Sequence, residues 1–134
     1  MKRSPALTPL SRDHHHALSL AMQAGKAARS DDADQWQRAA DNIRQHYRQT
    51  LQAHFAEEER ALLPALAQAG NAQLVQRTLD EHAHLHQLMQ HANLASPGLL
   101  QDFAAAMSAH VRFEERELFT LAETLPAVMA ALQR

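Results

Sequence analysis

The chain contains no cysteine. Disulfides, thiolate zinc sites and iron–sulfur clusters are therefore excluded, and only nitrogen and oxygen side chains remain as metal donors. Turn-forming residues are also scarce, with three Gly and five Pro in 134 residues. A β-sandwich needs turn signals at roughly 8–12-residue spacing, and a βαβ fold needs Val- and Ile-rich runs that do not occur here. Aromatics make up only 4% of a chain that is 46% apolar, and the excess is Ala and Leu, which favour helix over strand. No basic stripe is present: the formal charge is −2 with both signs scattered, which argues against a nucleic-acid partner. No apolar run is long enough to span a bilayer, and MKRSPALTPLSRD lacks the apolar centre of a secretory signal. These absences predict one all-α domain over residues 1–134, cytoplasmic, with neither membrane nor nucleic acid as partner.

What is abundant is histidine, ten in all. His has no strong preference for helices, yet here it recurs inside helical segments. Four helices are expected, over about 9–29, 35–63, 71–94 and 99–124, in an up-down-up-down antiparallel bundle. Thr8-Pro9 reads as a capped helix start. Pro64 is expected to kink or end the second helix, Gly70 to cap it, and Ser96-Pro97-Gly98 to turn the chain into the fourth. An apolar tail over 125–132, running on to Arg134, fits either a cover for the bundle or an oligomer contact, so both a monomer and a homo-oligomer remain open.

Steps of three and four give each helix an inward stripe. The first reads Leu7, Leu10, His14, Leu18, Ala21. The second reads Trp36, Ala40, Ile43, Tyr47, Leu51, His54, Glu58, Leu62, the third Val75, Leu79, His82, His86, Met89, and the fourth Phe103, Met107, His110, Glu114, Leu118, Leu121. Every helix thus points a histidine at the core, and two add a glutamate.

His54–Glu58 and His110–Glu114 share an H-x-x-x-E spacing that sets the two side chains on one helix face, ~6 Å apart. HFAEEERALLP at 54–64 aligns without gaps to HVRFEERELFT at 110–120, and Asp13-His14 matches Glu81-His82. The chain therefore reads as two helical hairpins related by an approximate twofold axis. Each hairpin brings one His from its first helix and a His and a Glu from its second, a set suited to two metal ions bridged by Glu58 and Glu114. His86 completes an H-x-x-x-H pair with His82, and its counterpart in the first hairpin is Leu18. One ion would then have His82, His86 and His110, and the other His14 and His54 with an open position beside Leu18. Two buried carboxylates among imidazoles cost several kcal/mol unless cations compensate them. Imidazole and carboxylate without thiolate suit iron, with manganese or zinc as substitutes.

The segments DHHHAL, HFAEEERALLP, EHAHLH and HVRFEERELF resemble the four helix motifs of the hemerythrin-like, or HHE cation-binding, domain family, and the resemblance covers nearly the whole chain. It implies ligand roles for His14, His54, Glu58, His82, His86, His110 and Glu114, and two non-haem iron ions as cofactors. Oxygen-carrying members typically end on a His followed five residues later by Asp, whereas here Glu114 follows His110 by four. The related iron–sulfur cluster repair proteins use the symmetric set without the extra histidine. The resemblance implies binding or sensing of a small diatomic or peroxide ligand (O2, NO, H2O2) at an open iron position. Peroxide consumption, cluster repair or iron donation is the alternative, and a metal-free helical interaction module is the third.

The remaining polar residues read as surface. His15, His16, His46, His84 and His91 fall off the stripes. Glu57, Glu59, Glu115 and Glu117 read as an outer charged face with Arg60, Arg112 and Arg116. Tyr47 reads as a packed residue with one hydrogen bond, and Trp36 as an end plug.

Overall fold

The structure, a computed structural model, describes residues 3–133. It is all helical: α1 (Thr8–Ala28), α2 (33–68), α3 (Ala72–Gln90), α4 (97–123) and a short α5 (Pro126–Leu132). The first four run up and down in succession as a helical bundle. Met1, Lys2 and Arg134, the last of which was expected to end the tail, lie outside the described residues.

The helix ends follow local chemistry. α2 begins two residues earlier than the sequence suggested, because Asp32 caps it by accepting from the Asp34 backbone N–H at 2.9 Å. Its end is a Schellman turn. Gly70, at φ 93°, lets its N–H reach Ala67 O at 3.1 Å while Asn71 N–H reaches Leu66 O at 3.0 Å. Thr8 does not cap α1 as expected. It is already helical, its hydroxyl donates to Ser4 O at 2.9 Å, and Leu7 occupies the cap position. α3 stops at Gln90 rather than near Leu94, because His91 turns extended and its ring accepts from Asn93 N–H at 3.0 Å.

Two helices widen at matching places. α2 and α4 each contain a turn of π-helix, at Glu58–Leu62 and at Glu114–Leu118, and α2 contains another at Tyr47–Leu51. A π turn inserts one residue into the helical register, and such bulges concentrate at functional sites. The inserted residue rotates everything downstream by ~100°. This is why Ala122 points inward where a regular helix would bury Leu121. Pro64 follows the second widening directly and falls in the first turn of Leu63–Gln68, so α2 continues through it.

The core consists of two apolar clusters. One contains Ile43, Leu51, Phe55, Leu85, Met89, Phe103 and Met107, and the other Leu7, Leu62, Leu66, Phe113, Leu118, Phe119 and Val128. Each large side chain wholly removed from water contributes about 1.5–3 kcal/mol. Val128 of α5 is fully buried in the second cluster, so the C-terminal tail covers the end of the bundle. The N-terminal segment is tied to the same end through Glu123, which accepts from Arg3 at 2.7 Å and from Ser4 N–H at 2.6 Å. Among the described residues no helix is long and apolar enough to cross a membrane.

Candidate metal centre

The buried polar side chains of the described residues are His14, His54, Glu58, Thr78, His82, His110 and Glu114. Thr78 is accounted for by its bond to Leu74 O at 2.8 Å. The other six converge. His14, His54, Glu58 and Glu114 form one group, Glu58, His82, His110 and Glu114 form a second, and within each group the ligand atoms all lie within 4.8 Å of one another.

Glu58 and Glu114 belong to both groups, and their oxygens are divided between them. Glu58 turns Oε2 toward His54 Nε2 at 3.4 Å and Oε1 toward His82 Nε2 at 3.0 Å. Glu114 turns Oε1 toward His14 at 2.8 Å and His54 at 3.7 Å, and Oε2 toward His110 at 3.2 Å and His82 at 3.6 Å. Each carboxylate thus offers one oxygen to each group, the arrangement a bridge between two cations requires. Both glutamates are the first residues of their π turns.

The fit to cations can be judged from the polar atoms themselves. The Nε2 atoms of His54, His82 and His110, both oxygens of Glu58 and Oε2 of Glu114 are buried without a hydrogen-bond partner. Several approach one another closely, but their alignment is wrong for donor to acceptor. Within each of the two groups they lie within 4.8 Å of one another. Buried polar atoms in such numbers are costly when unpaired, and two cations of the kind bound by nitrogen and oxygen would satisfy them all.

The opposite ring nitrogens are all engaged. The Nδ1 of His14 bonds Glu115 at 2.5 Å, that of His54 bonds Asp13 at 3.1 Å, that of His82 bonds Glu59 at 2.7 Å, and that of His110 bonds Glu81 at 2.6 Å. Such bonds fix the tautomer and leave Nε2 as the donor to a metal. Glu59 and Glu115, which the sequence placed on an outer charged face, are therefore part of the site. Asp13 and Glu81 join them. The signal was available in the doublets Glu58-Glu59 and Glu114-Glu115 and in the matched pairs Asp13-His14 and Glu81-His82.

Burial disfavours charge on these imidazoles, but the carboxylates outweigh it in the metal-free protein. Attraction to Glu58, the bond to Asp13 and the nearby Glu114 carboxylate push His54 up to about 12. The adjacent carboxylates of Glu114 and Glu58 push His82 up to about 10, and attraction to Glu114 pushes His110 up to about 9. His14 is raised by its bonds to Glu114 and Glu115. Burial alone would raise Glu114, but His110 and its other partners hold it well below the usual carboxylate range.

His86 does not join either group. Its ring is exposed and bonds the Tyr47 hydroxyl at 3.0 Å. Its expected counterpart Leu18 and the stripe residue Leu79 are also exposed, at 36% each. The buried arcs run instead through Leu10, His14, Ala17 and Ala21 on α1 and through Thr78, His82, Leu85 and Met89 on α3. Residues one turn past His14 and His82 rotate ~40° to the outer side of those arcs. Tyr47, His86, Phe55 and His82 line an open cleft of about 500 Å³, in which Phe55 stacks on His82 with ring centroids 4.2 Å apart. His15, His16, His84 and His91 are exposed as expected, while His46 is half-buried. Trp36 packs at the edge of the first cluster and donates to Ser30 O at 3.1 Å.

Fold and site together define a helical bundle with a buried cluster of imidazoles and shared carboxylates in its core that could hold metal ions. The sequence profile of the hemerythrin HHE cation binding domain matches residues 6–122, and the chain belongs to that family. No curated protein and no solved structure matches the chain.

Proposed function

We propose that the protein is a non-haem di-iron protein in which His14, His54, His82 and His110 hold two ions and Glu58 and Glu114 bridge them, and that it binds or senses a small ligand such as O2, NO or H2O2. The observation that carries this reading is the division of each glutamate's oxygens between the two groups. When bound, a pair of irons supplies reversible one-electron chemistry and coordination positions for a small ligand. The chain's own residues do the rest. Four imidazoles fix positions, two carboxylates hold the ions as a pair, and the apolar clusters on either side exclude water. The cleft at Phe55 and His82 is the route by which a small ligand would approach. His86 is outside the ligand set of this proposal.

The two groups are equivalent, with two histidines each. That equality favours a second reading, peroxide consumption or iron donation, in which both ions keep exchangeable positions. Turnover assays with peroxide and iron-transfer measurements separate the two readings.

The test is metal analysis of untagged protein followed by optical titration of the iron-loaded form with oxygen and with nitric oxide. Two irons per chain and a ligand-dependent charge-transfer band are expected. Sub-stoichiometric metal, or a spectrum indifferent to every ligand, would sink the proposal.

A further inference from the structure

Each of the four long helices contributes one histidine to the centre and one carboxylate to a neighbour's histidine, and the pairings run in one direction. Asp13 of α1 bonds His54 of α2, Glu59 of α2 bonds His82 of α3, Glu81 of α3 bonds His110 of α4, and Glu115 of α4 bonds His14 of α1. The chain of pairs closes on itself. The repeat accounts for its form: the carboxylate precedes its own helix's histidine by one residue in α1 and α3 and follows it by five in α2 and α4.

We propose that Asp13, Glu59, Glu81 and Glu115 are positioning residues, a closed girdle that orients all four imidazoles and biases the centre toward the more highly charged, oxidised ions. The proposal deepens the di-iron reading and rests on it. A carboxylate accepting from Nδ1–H makes Nε2 a stronger donor and fixes its direction. A negative charge at a given distance also attracts a trivalent ion half again as strongly as a divalent one. Every outer carboxylate therefore favours loss of one electron from the bound pair to an external acceptor, with no bond made or broken in the protein. The four are not equal. Arg77 lies 3.0 Å from Glu81 and Arg3 lies 3.3 Å from Glu115, whereas Asp13 and Glu59 pair with no arginine among the described residues.

The girdle is separable from the ligands because Glu59→Gln and Asp13→Asn keep an acceptor oxygen while removing the charge. The experiment uses the full chain loaded anaerobically with ferrous iron, and compares these variants with Glu57→Gln, whose carboxylate pairs with Arg60 on the surface. Iron per chain, the melting midpoint of the zinc-loaded form, and the midpoint potential by mediated spectroelectrochemistry are measured. Two irons should remain and melting should stay close to that of the parent. The preference for the oxidised ion should fall about tenfold in each girdle variant, a rise of about 59 mV for a one-electron couple. Asp13→Asn should exceed Glu81→Gln, whose charge Arg77 already offsets in part. Glu59→Asp, which keeps the charge, should restore the parent potential. Potentials no different from that of Glu57→Gln overturn the girdle and leave the di-iron reading intact. A parent that does not hold two irons removes both. A Glu59 position where Gln and Asp alike abolish metal binding is a structural position, and the proposal fails there too.

Discussion

His14 Nε2 lies 2.8 Å from Glu114 Oε1 in the buried centre, and the same imidazole bonds Glu115 through Nδ1 at 2.5 Å. One ring is thus held between two consecutive residues of another helix, with its metal-facing nitrogen against a carboxylate shared by both ion groups. In the metal-free protein the proton between them occupies the place a cation would take, so proton and metal compete for the site.

That competition fixes a pH dependence. His110, His82 and His54 have pKa values pushed up to about 9, about 10 and about 12 from an ordinary 6.5. A raised pKa means that the folded state binds protons more tightly than the unfolded chain. The stability from these histidines is therefore complete below about pH 6.5 and is lost as pH rises through their folded values. Glu114 works in the opposite direction: its depressed pKa contributes stability above 4.5 that is lost on acidification. Metal-free protein should be most resistant to denaturant between about pH 4.5 and 6.5 and should weaken progressively above it. Metal loading should reverse the alkaline decline and release protons, measurable by calorimetry in buffers of different ionisation enthalpy. Metal-free stability that rises from pH 7 to 9 would contradict these assignments.

The sharing of Glu58 and Glu114 sets an expectation about stoichiometry. Each carboxylate serves both groups and each histidine serves one. Glu114→Ala and Glu58→Ala should lower affinity for both ions, by tenfold or more, whereas His110→Ala should chiefly affect one. Titration with zinc, which has no redox chemistry, reads the difference directly. Identical isotherms for Glu114→Ala and His110→Ala would mean that the carboxylates do not bridge.

Much of this centre was legible because H-x-x-x-E falls on a regular stretch of helix. His54 and Glu58, like His110 and Glu114, are joined by ordinary α-helix, and the widening begins only at the glutamate. Downstream of that point the period misleads, as at Leu121, because an inserted residue leaves no mark in a pattern of apolar side chains. Leu18, Leu79 and His86 were misplaced for another reason. A stripe read in steps of four drifts around the helix, and the true arc turned back by a step of three, from His14 to Ala17 and from His82 to Leu85. The outer carboxylates were hidden by distance along the chain. Asp13 is 41 residues from His54 and Glu115 is 101 from His14, so their roles arise only when the helices are brought together.

His86 and Tyr47 allow a discriminating pair of substitutions. Their mutual bond lies at the surface of the cleft, outside both ion groups. His86→Ala and Tyr47→Phe should leave metal stoichiometry unchanged and cost at most about 0.5–1.5 kcal/mol, the scale of one net hydrogen bond. His82→Ala, one turn away, should remove a ligand. Metal analysis of the three variants checks this. Loss of one ion in His86→Ala comparable to that in His82→Ala would bring His86 into the ligand set.

The π turn at Glu114–Leu118 can be tested by removing the residue that makes it. Leu118 and Phe119 are adjacent, both fully buried, and lie at and just beyond the end of the widened turn. Deleting the exposed Glu117 should restore a continuous α-helix and swing one of the two away from the second apolar cluster. The cost should approach that of truncating a buried phenylalanine, about 3–5 kcal/mol. Because Glu114 lies on the N-terminal side of the deletion, its carboxylate keeps its helical relation to His110 at i, i+4. The expected result is a protein that binds cations in the same ratio but unfolds at much lower denaturant. Substituting Glu117→Ala removes the same side chain without altering the register, and should change stability by well under 1 kcal/mol, as surface replacements do. If deletion and substitution were equally mild, the widened turn would not be what sets the register of the buried side chains beyond it.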